Sequence, residues 1–124
     1  MKRLLSLSFA AALFSACGGS GVSAPAVTLP AGATVIKAVP SLRFDAKSYG
    51  PAAAGEILIG YSNSDSVRHT LIIAKDGVKV PNFKLVAPQK GSNIAGTITL
   101  SAGTYTLLCD VPGHSDMKAT LTVK

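Results

Sequence analysis

The nonapeptide CDVPGHSDM, residues 109–117, sets a thiol, an imidazole and a thioether close together in one loop. The whole 124-residue chain holds two histidines, two cysteines and two methionines. Apart from the initiator Met1 and the N-terminal Cys17, the soft and borderline metal donors are His69, Cys109, His114 and Met117. Three of the four lie in the loop, and His69 follows the polar run SNSDSVR and opens the apolar stretch HTLII. Two imidazoles and a thiolate in a plane, with a weak axial thioether, make an electron-transfer copper site. Thiolate and thioether favour Cu(I), while imidazole suits both oxidation states, so little has to move when an electron arrives. Coordination removes the thiol proton.

Each residue also has an ordinary reading. A lone strand histidine is half-buried, a histidine in a Pro-Gly turn is solvated, and a lone Met or Cys packs in a core. Together the four use every such residue outside the N-terminus, and that joint placement points to a metal. Zinc would accept Cys and two His, but Met is a poor zinc ligand, and Cu(II) outranks Zn(II) in the usual affinity order. A Cys17–Cys109 disulfide is the structural alternative in an exported chain, unless Cys17 carries lipid and has no free thiol. Asp110 and Asp116 flank the loop; carboxylates suit harder ions, so both read as solvent-facing groups that tune docking. Arg68 and Lys118 read as surface charges beside the site.

The elements that must position these residues are strands. From about residue 33 onward, runs rich in Val, Ile and Thr alternate with turn signals. EILIGYSNS puts Ile57, Ile59 and Tyr61 on one face, and HTLIIAK puts His69, Leu71 and Ile73 on one side. FKLVA, IAGTITL and TYTLLC follow, and KATLTVK turns Ala119, Leu121 and Val123 inward. SNSDS, KDG, APQKGSN and SAG mark the turns. AKSYGPAAAG reads as at most a helical turn, interrupted by Gly50 and Pro51. Short strands at this spacing predict an all-β, antiparallel sandwich or barrel over residues 33–124.

The N-terminus reads as a targeting segment. Lys2 and Arg3 precede the short apolar run LLSLSFAAALF, and SAC then GGSG follow. Small residues before a cysteine resemble a bacterial lipoprotein signal over residues 1–16, with Cys17 as the lipid anchor. Phe14 stands where that pattern usually has Leu, and an ordinary secretory signal cut nearby is the alternative. Residues 17–32, rich in Gly, Ser, Ala and Pro, read as a flexible tether. Loss of residues 1–16 lowers the basic residues from 12 to 10 against 6 acidic ones, a net charge of +4. That excess suits an acidic partner or anionic surface. With no Lys/Arg run and no aromatic-basic interleaving after the signal, it does not suit nucleic acid.

In three segments, SNSDSVRHTLII, AGTYTLLC and YTLLCDVPGHSDMKATLTVK, the chain resembles the cupredoxins, the small blue copper family of azurin, plastocyanin and amicyanin. The resemblance implies a Greek-key β-sandwich binding one type 1 copper ion. It makes His69, Cys109 and His114 the equatorial ligands and Met117 the axial one. The four residues between Cys109 and His114 are like azurin, and the two between His114 and Met117 are like amicyanin. Axial ligation by Met117 is therefore the least fixed assignment. Thr70 stands where many members have an Asn that pins the ligand loop, and Arg68 stands where azurin has Gly. The resemblance also implies that His114 lies nearest the surface and passes electrons through a small apolar patch with Val111 and Pro112.

The function expected is a monomeric, non-enzymatic, lipid-anchored electron carrier on the periplasmic or extracellular face. It would exchange electrons with redox proteins such as c-type cytochromes or a membrane oxidase or reductase. A copper-delivery or copper-buffering lipoprotein is the alternative, although the Met- or His-rich stretches usual for that role are absent.

Overall fold

A computed structural model describes residues 28–124. The expected signal, Cys17 and most of the expected tether lie outside the described residues. Ten strands form in chain order: β1 Thr34–Val39, β2 Arg43–Phe44, β3 Ser48–Ala52, β4 Gly55–Asn63, β5 His69–Lys75, β6 Val78–Lys79, β7 Leu85–Ala87, β8 Asn93–Leu100, β9 Gly103–Leu108 and β10 Lys118–Val123. No helix occurs among the described residues.

Two sheets face each other. One has the order β2-β1-β4-β8, the other β3-β10-β9-β5-β6, with β7 paired to β5. Their facing sides meet in one core containing Ile36, Ile59, Tyr61, Leu71, Ile73, Leu107 and Leu121, all fully buried. The period-two expectations hold for β4 and β10, where Ile57, Ile59, Tyr61, Ala119, Leu121 and Val123 point inward, and β9 alternates likewise, with Tyr105 and Leu107 buried. β5 is buried on both faces over its first six residues, from His69 to Ala74. It pairs with β9 along one edge and with the short strands β6 and β7 along the other.

The fold differs from the sequence reading in two places. Most pairings are antiparallel, but β1–β4 and β3–β10 are parallel, so both sheets are mixed. AKSYGPAAAG supplies β3 rather than a helical turn. Gly50 has φ +98°, and a Cβ there would lie 2.5 Å from the Thr122 carbonyl oxygen. Only glycine lets the two backbones approach this closely at that dihedral. Residues 28–32 lead into β1, and Leu29 lies over Gly60 of β4, where a Cβ would come 3.2 Å from the Leu29 side chain.

Candidate metal centre

Two local structures meet at one end of the sandwich. The first is the turn between β4 and β5. Asn63 is buried, and its amide donates to the carbonyls of Val67, at 2.8 Å, and Ala87, at 3.1 Å. Its side-chain oxygen accepts from the Asp65 N–H at 2.8 Å. Every polar atom of this buried amide thus has work in shaping the turn. The turn brings Asp65 back against His69, the first residue of β5, with Asp65 Oδ2 at 2.9 Å from His69 Nε2.

The second is the loop from β9 to β10. The His114 N–H donates to the Val111 carbonyl at 3.0 Å, closing a turn with Pro112 and Gly113 in the middle. Gly113 has φ +88°, as the third position of a type II turn demands. The Met117 N–H then donates to the His114 carbonyl at 2.9 Å, and the Cys109 N–H to the Met117 carbonyl at 3.3 Å. These bonds fold the nonapeptide back on itself, so Cys109 and His114 turn toward one point.

There the structure brings His69, Cys109 and His114 together, with one potential ligand atom from each within 4.8 Å of the others and all three residues buried. Cys109 is a free thiol, and its Sγ lies 3.5 Å from His114 Nδ1. The two imidazole rings have centroids 4.9 Å apart, tilted at 50°. Met117 is only 1% exposed and belongs to the same core cluster as Cys109. Of the four residues, His114 is the most accessible, at 9%, and His69 is sealed at 0%.

The donor set fits a soft or borderline metal. His69 Nδ1 is buried with no hydrogen-bond partner, while its Nε2 is occupied by Asp65. A buried orphan nitrogen costs free energy unless something fills its lone pair. An ion with ordinary thiolate and imidazole bond lengths in trigonal geometry would separate sulfur from nitrogen by about 3.7 Å, close to the Cys109–His114 distance. The Asp65 carboxylate fixes the ring and tautomer that leave Nδ1 free. The hydrogen bond from His69, aided by the Ser66 N–H, holds the Asp65 carboxyl below the usual carboxylate range, against the opposing effect of burial.

Around the sulfur lies a second group of contacts. The Thr70 N–H donates to Cys109 Sγ at 3.4 Å. Thr70 therefore touches the ligand loop at the place where the resemblance expected pinning. Asp110, expected to be a solvated flank, is exposed as expected but also bonds Thr70 and forms an ion pair with Lys84 at 2.8 Å. Lys84 and then the Thr70 hydroxyl hold its carboxyl below the usual range. Asp116, Arg68 and Lys118 are exposed. Buried Tyr61 donates to the Thr70 carbonyl at 3.1 Å, tying β4 of the other sheet to the residue beside His69. Burial pushes the Tyr61 phenol far above its ordinary value, so it remains a donor.

Sequence reasoning missed Asp65, Asn63 and Lys84. The one available signal was SNSDSVRH, which sets a carboxylate four residues before the histidine.

No known family profile matches the chain. No curated protein matches it either. Solved structures do. An auracyanin from the photosynthetic bacterium Roseiflexus castenholzii has a TM-score of 0.62 at 20% identity, over 75% of this chain and 97% of its own. Auracyanin A of Chloroflexus aurantiacus, described as a "blue" copper protein, has a TM-score of 0.58 at 23% identity, over 74% and 98%. Amicyanin from Paracoccus versutus has a TM-score of 0.54 at 19% identity, over 77% and 85%. With two facing sheets, ten strands and these structural relatives, the described part of the chain has the cupredoxin fold.

Proposed function

We propose that this chain is a type 1 blue copper protein that carries single electrons between redox partners. His69 through Nδ1, Cys109 through its thiolate and His114 would hold the ion, with Met117 as a weak axial ligand. The observation that carries this reading is the buried His69 Nδ1, left without a partner beside a free thiol and a second imidazole. The copper ion, when bound, supplies the Cu(I)/Cu(II) couple.

The protein's own residues do the rest. Asp65 and Asn63 fix His69, and the two turns of the nonapeptide fix His114 and the sulfur, so the donor set is built before any ion arrives. The core excludes water from the sulfur. His114, the most accessible of the four, is the port for electrons. Val111 and Pro112, just before it in the loop, would supply an apolar rim, and Val67, 41% exposed in the turn before His69, would extend it. Such a rim suits weak docking with fast release. Cys109 offers a second, covalent route back along β9. The export signal and lipid on Cys17 would place the domain outside the cytoplasm and tether it to a membrane surface, where redox partners such as c-type cytochromes or a membrane oxidase reside.

The test is direct. The purified domain, given cupric salt, should develop an intense visible thiolate-to-copper band that bleaches with ascorbate and returns with ferricyanide. Cys109→Ala should abolish the band. A colour that survives this substitution would overturn the assignment, and copper lost at every cycle would favour a delivery protein instead.

A further inference from the structure

Three side chains outside the donor set form a path that ends on the Cys109 sulfur. Lys84 Nζ lies 2.8 Å from Asp110 Oδ2. The other carboxylate oxygen, Oδ1, accepts the Thr70 hydroxyl at 2.5 Å. The Asp110 N–H in turn donates to Thr70 Oγ1 at 3.0 Å. The same Oγ1 lies 3.5 Å from Cys109 Sγ, and the Thr70 N–H donates to that sulfur at 3.4 Å.

A hydroxyl has one proton. Two acceptors compete for the proton of Thr70: a carboxylate oxygen at 2.5 Å and a sulfur a full ångström farther away. The shorter, charge-assisted bond prevails. With the Asp110 N–H already on Oγ1, the hydroxyl is fixed from both sides. The Lys84 pair occupies Oδ2 and leaves Oδ1 facing Thr70. Lys84 is half-exposed, with 47% of its side-chain surface open, so the pair adds little to stability. Its effect is directional.

We propose that Asp110, oriented by Lys84, is a positioning residue that keeps the Thr70 hydroxyl proton off the Cys109 sulfur. Resting on the copper–thiolate reading above, this leaves the sulfur one hydrogen bond from Thr70, through its N–H, instead of two. Hydrogen bonds to a ligating thiolate draw charge from the sulfur and favour the reduced ion. Withholding one keeps the reduction potential lower than the same loop would otherwise give. Sequence offered no sign of this, because Asp110 follows the cysteine like any flanking charge and Lys84 comes from another strand connection.

Two substitutions separate the proton from the charge. Asp110→Asn and Asp110→Ala remove the same charge, but Asn keeps an oxygen that can accept the Thr70 hydroxyl and Ala does not. The reduction potential of copper-loaded Asp110→Ala should be shifted positive of Asp110→Asn. The shift should vanish when both are made in a Thr70→Val background. Equal potentials with Thr70 present would overturn the proposal. Neutron diffraction from deuterated wild-type crystals is independent of how any variant folds. The Thr70 deuteron should lie toward Asp110, and a deuteron directed at Cys109 would refute the idea. A wild-type protein that stays colourless with cupric salt defeats the copper reading alone; the deuteron position in metal-free crystals still decides where the Thr70 proton goes.

Discussion

His69 shows how much of the proposed metal site is settled before any metal binds. Its ring is sealed, one nitrogen is held by Asp65, and the other is presented bare. Asp65→Ala should lower copper affinity by roughly 10–100-fold, measured by competition with a chelator, because the carboxylate is what orients the ring. The same contact has a pH signature in the metal-free protein. The folded Asp65 carboxyl is shifted down, so its contribution is fully present above the unfolded carboxylate pKa of about 4 and is lost as pH falls through the lower folded value. Thermal melts of metal-free Asp65→Asn should therefore lose less stability on acidification below pH of about 4 than wild type does. Met117→Leu should keep the colour and raise the potential, read by voltammetry, since an apolar side chain there stabilises Cu(I) over Cu(II). The four donors themselves stood out in the sequence because their chemistry is rare in this chain. Asp65 did not, since one of six acidic residues in a polar turn carries no periodic mark.

At the scale of elements, strands with clean alternation were legible and those built on backbone geometry were not. KATLTVK declares its inward face, and the structure buries Ala119, Leu121 and Val123 as that pattern demands. SYGPA declares nothing, because Gly and Pro are poor strand formers and usually mark a break. It becomes a strand only because β10 offers an edge to pair with and Gly50 lets the backbones close in. Gly50→Ala would push a Cβ into the Thr122 carbonyl at an unfavourable φ. It should cost about 1–3 kcal/mol, seen as a lower midpoint in urea unfolding. The parallel pairings of β1 with β4 and β3 with β10 were equally hidden, since alternation reports which face is buried and says nothing of strand direction.

At the scale of the molecule, the +4 balance of the expected mature chain is the property a partner meets first. Oxidation of the reduced copper form by anionic ferricyanide should slow as ionic strength rises from about 0.01 to 0.5 M, and a cationic oxidant should show the opposite trend in stopped-flow traces. The overall class, strands packed around one core, followed from composition and turn spacing, whereas the order of strands within each sheet had to be seen. That order matters during synthesis. β10 is the last of the ten described strands in chain order, yet it lies inside its sheet between β3 and β9, and it closes the loop bearing Cys109 and His114. A growing polypeptide that stops short of β10 therefore has no closed sheet to hold His114 beside Cys109. Capture of an ion by the proposed donor set would therefore wait until this strand is in place.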